Sequence, residues 1–128
     1  EKFGAIVVQL PLLDMKRYSK LLAGASWMAE YGDPDTDDWK FIQGFSPYHL
    51  FDPARDYPPT LFTTSTRDDR VHPGHARKMM ALMEAAGKDV RYYENIEGGH
   101  GGADNNEQSA HMNALAYTFL WQKLTGGQ

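Results

Sequence analysis

Residues 60–102 read TLFTTSTRDDRVHPGHARKMMALMEAAGKDVRYYENIEGGHGG. Within this stretch, residues 60–65 and 90–95 are short runs rich in β-branched and aromatic residues, which predict two strands. Between them, apolar residues recur at spacings of three and four, which predicts an amphipathic helix. These apolar residues are Ala76, Met79, Met80, Met83 and Ala86. Pro73 suits the first turn of that helix and Gly87 its C-terminal cap, so the stretch predicts a strand–helix–strand unit.

The sequence on either side extends this unit. Residues 5–9 are a β-branched run that predicts another buried strand, and residues 106–124 predict a final helix. The inner face of that helix carries Met112, Leu115, Phe119 and Leu120. Strands that alternate with helices favour a parallel sheet covered on both faces. Because three strands are few for such a sheet, we expect one end of a larger α/β sheet.

The composition is that of an ordinary globular chain and excludes several kinds of site. The 128 residues are 41% hydrophobic and 23% charged, the net charge is -4 and there is no Cys. The acidic balance argues against a nucleic-acid partner, and no apolar run approaches the roughly 20 residues of a membrane span. The lack of Cys excludes disulfides, thiolate metal sites and a Cys nucleophile, and it leaves cytoplasm and periplasm both open as compartments.

His72 and His75, together with His100, are the residues that could suggest zinc. Pro73 and Gly74 lie between the first two histidines, which disfavours a helical ligand pair, and no third ligand stands out. We therefore expect neither a metal nor another cofactor.

Asp68 and His100 each follow a predicted strand. Because the carboxyl ends of neighbouring parallel strands meet at one edge of a sheet, about 4.8 Å apart, the two side chains can come within hydrogen-bond reach. An aspartate so placed orients an imidazole, fixes its tautomer and stabilises the imidazolium. The plainer alternative is that Asp68 belongs to a solvated turn and His100 to an ordinary polar loop.

The order of Asp before His matches the second and third members of the α/β-hydrolase triad, which runs nucleophile, acid, histidine. The nucleophile should stand on a G-x-S-x-G elbow between a strand and a helix, and the sequence contains none. The nearest string, GASWM at residues 24–28, lacks the second glycine and does not directly follow a buried strand. We expect any nucleophile to precede Glu1.

Six segments of the chain resemble segments of one known family, and they occur in the same order as in that family and at compatible spacing. They are FGAIVVQ (residues 3–9), LDM (13–15), GASWMAEYG (24–32), FSPYH (45–49), DDRV (68–71) and GHGG (99–102). Together they resemble the C-terminal part of the catalytic domain of prolyl oligopeptidases, serine peptidases whose α/β-hydrolase domain is capped by a β-propeller. The resemblance implies that residues 1–128 are the C-terminal portion of an α/β-hydrolase fold, with about three parallel strands and flanking helices.

The resemblance also implies roles for four residues. Asp68 matches the triad aspartate and His100 the triad histidine. Trp27 matches the tryptophan that stacks on the substrate proline ring, and Arg70 matches the arginine that hydrogen-bonds the substrate backbone. The plainer alternatives are a core position for Trp27 and a salt bridge for Arg70. The nucleophilic Ser and the propeller would lie upstream of Glu1, so the chain alone is expected to be inactive.

The expected function is that of a serine peptidase that cleaves peptides after proline, through a Ser-Asp-His triad whose Ser lies upstream. The alternatives are an acylaminoacyl-type peptidase or esterase of the same fold, and a non-catalytic α/β module that binds a partner. The expected partners are a peptide substrate and the upstream part of the same protein. A three-strand fragment exposes an apolar sheet edge, so the chain alone is also expected to self-associate.

Overall fold

A three-stranded parallel sheet organises the chain. The computed structural model describes residues 2–126. The strands stand in the order of the sequence, as β1 (Ile6–Gln9), β2 (Thr60–Ser65) and β3 (Val90–Asn95). Thr60 pairs with Ile6 on one side and Val90 on the other, and Ser65 pairs with Asn95. The last residues of β2 and β3 therefore lie side by side at one edge of the sheet.

Residues 10–59 connect β1 to β2 through a series of short helices. Three are 3-10 helices, η1 (Tyr18–Lys20), η2 (Leu22–Trp27) and η3 (Gln43–Phe45), and three are α-helices, α1 (Met28–Tyr31), α2 (Trp39–Ile42) and α3 (Pro47–Leu50). They share a small core of their own, in which Met15, Tyr18 and Ile42 are buried and Trp27 and Trp39 pack against them. This core gives the segment a fixed shape without a long periodic helix.

Gly24 brings η2 against η1. A Cβ on this residue would lie 1.7 Å from the carbonyl oxygen of Tyr18, so only glycine permits the two backbones to approach this closely. The N–H of Gly24 donates to the carbonyl of Leu21 at 3.0 Å, which continues the turn. The approach fixes the start of η2, at whose end Trp27 stands.

Two longer helices flank the sheet, one on each face. They are α4 (Gly74–Ala85) and α5 (Asn106–Thr125). Met79 of α4 packs against Phe62 of β2. The preceding strand residue, Leu61, points to the opposite face, where it lines a cavity with Phe119 of α5. Within residues 2–126, none of the helices has the length and apolar character needed to cross a bilayer.

β1 forms an outer edge of the sheet and is less enclosed than its neighbour. Ile6, Val7 and Val8 are only half-buried, whereas every residue of β2 is buried. On the adjoining face, α5 exposes large apolar side chains at helical spacing. They are Tyr117, Trp121 and Leu124. Apolar surface of this kind, beside an open strand edge, is typical of a sheet that continues in a neighbouring segment.

Candidate active site

Asp68 lies in the turn after β2, and its side chain is fully enclosed, with 0% exposure. Its Oδ1 accepts the backbone N–H groups of Arg70 and Val71, each at 2.9 Å. Its own N–H donates to the carbonyl of Ser65 at 3.3 Å. These bonds fix the orientation of the carboxylate relative to the end of β2. They also supply part of the compensation that a buried charge requires.

His100 lies in the loop between β3 and α5 and faces this carboxylate. Its Nδ1 is 3.1 Å from Asp68 Oδ1 and 3.1 Å from Oδ2, so the predicted contact between the two residues is present. The Asp68 carboxylate favours a hydrogen on Nδ1, which leaves the lone pair of a neutral ring on Nε2. The imidazole is 37% exposed, in contrast to its partner. A ring held in this way can take a proton from a group that approaches from the open side.

Trp27 belongs to both a core and an open surface. Its indole packs against the small core of residues 10–59, yet the side chain is only half-buried. The N–H of Ala23, in the same short helix η2, donates to the carbonyl of Arg70 at 3.3 Å. The segment that carries Trp27 is therefore attached to the turn that carries Asp68.

Arg70 leaves its guanidinium available on the surface. The residue is exposed, and within residues 2–126 its side chain makes no ion pair. The salt bridge considered as the plainer alternative is thus not formed among these residues. A guanidinium beside the Asp68 turn offers a rigid set of donors for carbonyl or carboxylate oxygens.

Two residues that the sequence analysis did not single out contact the loop of His100. The hydroxyl of Ser65 donates to the carbonyl of Gly102 at 3.2 Å, and Nδ2 of Asn95 donates to the same carbonyl at 3.0 Å. Ser65 is the last residue of β2 and Asn95 the last of β3. The principle that drew attention to Asp68 and His100, polar residues at the ends of strands, could have found both.

A serine–histidine pair elsewhere in the described part of the chain is structural. Ser46 Oγ lies 2.8 Å from His49 Nδ1, and the same ring nitrogen lies 4.0 Å from Asp14 Oδ1. A triad uses the two nitrogens of the ring for these two partners, whereas here one nitrogen faces both. Ser46 is also fully buried, and its hydroxyl accepts the N–H of Met15 at 3.1 Å. The pair ties α3 to the chain after β1.

His75, considered with His72 as a zinc ligand, is buried in the first turn of α4. Its Nδ1 accepts the N–H of Asp14 at 3.0 Å, while the Nδ1 of His72 accepts the N–H of Gly74 at 2.9 Å. Each ring therefore uses its Nδ1 to hold a backbone N–H, His72 in its own turn and His75 in the chain after β1. Burial lowers the pKa of His75 to about 4, so the ring is neutral at pH 7. Burial opposes ionisation of Asp14 as well, but its ion pair with Lys78 holds the pKa of that carboxyl below the usual value.

Glu94 joins the ends of β2 and β3 to α4. Its carboxylate accepts the hydroxyl of Thr66 at 2.6 Å and the hydroxyl of Tyr92 at 2.5 Å. It also pairs with Arg77 through both oxygens, with Nε at 2.9 Å from Oε2. The hydrogen bonds from Arg77 lower the pKa of Glu94 to about 2. The cluster braces the edge of the sheet at which Asp68 and His100 meet.

Comparison with known proteins identifies a family. The model of the prolyl oligopeptidase family matches residues 1–127. An uncharacterized peptidase of Sinorhizobium fredii, y4nA, is 50% identical over 123 residues, which are 95% of this chain and 17% of that protein. Among solved structures, a post-proline cleaving enzyme from Rickettsia typhi is 35% identical, with a TM-score of 0.86 over 96% of this chain and 18% of that one. A structure from a study of two prolyl endopeptidases is 37% identical, with a TM-score of 0.86 over 96% of this chain and 19% of that one.

These matches confirm the fold expected from the sequence. The chain has the three parallel strands and flanking helices of prolyl oligopeptidase catalytic domains, which are α/β-hydrolases. It spans less than a fifth of the length of the proteins that it matches.

Proposed function

The chain belongs to the prolyl oligopeptidase family, and from that premise we propose that residues 1–128 are the C-terminal part of the catalytic domain of a serine peptidase. The observation that carries the proposal is the contact between His100 Nδ1 and the buried carboxylate of Asp68, at the ends of two adjacent parallel strands. In this proposal His100 is the general base, Asp68 orients it, and the nucleophilic Ser comes from the upstream part of the same protein.

The proposed reaction follows from the two ring nitrogens of His100. Nε2 removes the proton of the Ser hydroxyl while the Ser oxygen forms a bond to the scissile carbonyl carbon. The imidazolium so formed is stabilised by Asp68 through Nδ1–H, and Nε2–H then protonates the amine as the C–N bond breaks. Water repeats the sequence on the acyl-enzyme, which releases the acid and restores the Ser hydroxyl. Asp68 keeps its negative charge throughout.

Preference for proline is the second part of the proposal. The half-buried indole of Trp27 offers a flat apolar face that a pyrrolidine ring covers without a hydrogen bond. Arg70, exposed and without an ion pair in residues 2–126, donates to the substrate backbone. The names of the matched prolyl endopeptidases and of the post-proline cleaving enzyme support this preference.

The outer edge of β1 is proposed to pair with an upstream strand of the same protein. Its three half-buried β-branched residues adjoin the fully buried β2, and the open edge presents unpaired backbone groups. The upstream part is thus both a structural partner and the source of the nucleophile.

Substitution of Asp68 in the full-length protein tests the peptidase assignment. Asp68→Asn should lower kcat for a peptide substrate by about 10⁴, because the amide no longer stabilises the imidazolium or selects the Nδ1–H tautomer. Asp69→Asn is the matched control, since Asp69 is the exposed neighbour in the same turn, and it should stay within about twofold of wild type. Equal effects of the two substitutions, or full activity of Asp68→Asn, would contradict the assignment.

The proline preference is tested with paired substrates that carry proline or alanine before the scissile bond. Trp27→Ala should lower the ratio of their kcat/KM values about 2- to 10-fold, as expected for the loss of an aromatic contact. Trp39→Ala is the matched control, because Trp39 packs on the same small core. If Trp27→Ala lowers both kcat/KM values by one factor, as Trp39→Ala should, Trp27 is a core residue. An acylaminoacyl-type peptidase or esterase then becomes the better assignment.

A further inference from the structure

The loop that carries His100, residues 96–105, is tied down by the side chain of Asn95. This residue ends β3 and is buried. Its Nδ2 donates to the carbonyl of Gly102 at 3.0 Å and to Oε1 of Gln108 at 2.8 Å, and its Oδ1 accepts the N–H of Glu97 at 3.1 Å. One carboxamide therefore holds the first part of the loop, its far end and the first turn of α5. Both of its N–H donors are used.

Asn95 is also connected to the turn of Asp68. Its backbone carbonyl accepts the N–H of Thr66 at 2.9 Å, two residues before Asp68. The hydroxyl of Ser65, which is 0% exposed, donates to the same Gly102 carbonyl that Asn95 holds. The main chain of Asn95 thus bonds to the segment that carries the acid, and its side chain bonds to the loop that carries the base.

The path of the loop leaves no space for a side chain at position 98. A Cβ on Gly98 would lie 2.5 Å from the carbonyl oxygen of Gly102 and 2.8 Å from Nδ2 of Asn95. The N–H of Gly102 donates to the carbonyl of Gly99 at 2.9 Å, so the loop closes directly around His100. The conformation around the imidazole is therefore built from contacts that converge on Asn95 and the Gly102 carbonyl.

From these contacts we propose that Asn95 is a positioning residue for the acid–base pair. Its carboxamide fixes the loop so that Nδ1 of His100 meets the enclosed carboxylate of Asp68. A displacement of about 1 Å in such a group costs about 100-fold in rate, and a loop without helix or strand has no other regular structure to hold it. The inference rests on the proposed function, in which His100 transfers protons.

The test uses the full-length protein with a nearly isosteric substitution. Asn95→Asp removes both N–H donors and places a carboxylate against the oxygens of Gly102 and Gln108. We expect kcat to fall about 10- to 100-fold and KM to stay within about threefold, because Trp27 and Arg70 stand on other elements. Hydrogen–deuterium exchange in residues 96–105 should become faster. Gln122→Glu, at an exposed position near the C-terminal end of α5, is the control and should change neither quantity.

A second variant reaches the same contacts from the other side. Gly98→Ala keeps asparagine at position 95, but the added methyl group forces the Asn95 amide away from the Gly102 carbonyl. This variant should therefore also lower kcat and speed hydrogen–deuterium exchange of the loop. Circular dichroism establishes that each variant is folded. If Asn95→Asp folds poorly, Gly98→Ala decides the question.

Two results overturn the inference, and both differ from failure of the proposed function. A folded variant whose kcat and loop exchange stay within twofold of wild type shows that Asn95 does not position the loop. A rise in KM that accounts for the whole loss of kcat/KM shows a role in substrate binding instead. If wild-type protein cleaves no peptide, the proposed function fails. The exchange data then decide the inference, because faster exchange in the variants supports the anchoring role and unchanged exchange overturns it.

Discussion

Acidification should destabilise the protein through His75. The residue is 1% exposed, and its Nδ1 accepts the N–H of Asp14, which suits the neutral ring. Its pKa is about 4 in the folded protein, against 6.5 for an unperturbed histidine. A difference of about 2.5 between these values corresponds to about 3 kcal/mol of unfolding free energy. Because the unfolded chain binds the proton first, this stability is complete above pH 6.5 and is lost as the pH falls from 6.5 to about 4.

Other charges near His75 act in opposite directions on its protonation. Asp14 favours the imidazolium, while His72 and the ammonium of Lys78 oppose it, but burial is the largest influence. His75→Asn keeps an acceptor near the position of Nδ1 and removes the titration. Its unfolding free energy should therefore vary less with pH, by about 3 kcal/mol between pH 6.5 and 4, although it is lower at pH 7. His111→Asn, at an exposed position on α5, is the matched control.

Two measurements on the full-length protein check this prediction. Exchange of the histidine C2 hydrogens, followed by mass spectrometry, gives the pKa of His75 in the folded protein. Denaturant unfolding between pH 7 and 4 gives the change in stability for wild type and both variants. A pKa of His75 near 6.5, or identical pH dependence in wild type and His75→Asn, would refute the reasoning.

Three further predictions concern packing, charge and association. Gly24→Ala should lower stability by about 2 kcal/mol or more, because its Cβ would lie 1.7 Å from the Tyr18 carbonyl oxygen. Gly44→Ala is the control, since its Cβ would meet nothing within 4 Å, and thermal unfolding of both variants checks the difference. Glu94→Gln should lower the unfolding free energy by only about 1–2 kcal/mol at pH 7, because solvent screens the half-exposed Arg77. Urea unfolding should show that the difference from wild type shrinks as the pH falls from 4.5 toward 2. The 128-residue chain expressed alone should form dimers or larger species through the edge of β1, and a monodisperse monomer in sedimentation at high concentration would contradict this.

The regular elements could be predicted from the sequence because each has a clear period. The strands expected at residues 60–65 and 90–95 have these bounds in the structure, and the helix expected at 106–124 extends to Thr125. In residues 10–59 the sequence shows no helical period, because none of the six short helices is long enough for apolar residues to repeat. Their shape depends on tertiary contacts, such as the approach of Gly24 to Tyr18, which no local pattern encodes.

The candidate site was predictable in part for the same reason. Asp68 and His100 follow strands that the sequence identifies, and parallel topology brings such positions together. No strand end or motif spacing predicts the contacts of His49 with Ser46 and with the ring of Trp39. The sequence pattern identifies Asn95 only as the last residue of a strand. Its role depends on where the loop returns, which requires the carbonyl of Gly102 to be located in space.

The hydrogen bond from Ala23 to the Arg70 carbonyl constrains how selectivity can be re-engineered. The backbone of η2 therefore supports the turn that holds Asp68, although residues 23 and 70 are 47 positions apart in the sequence. If Trp27 binds substrate as proposed, exchanges of the side chain at position 27 leave this backbone link in place and should change substrate preference more than turnover. Insertions or deletions in residues 21–28 displace the backbone of Ala23 that bonds to Arg70. Grafting this segment from a relative should therefore lower turnover along with selectivity. Libraries for new specificity in this protein are therefore best built with the loop length held constant.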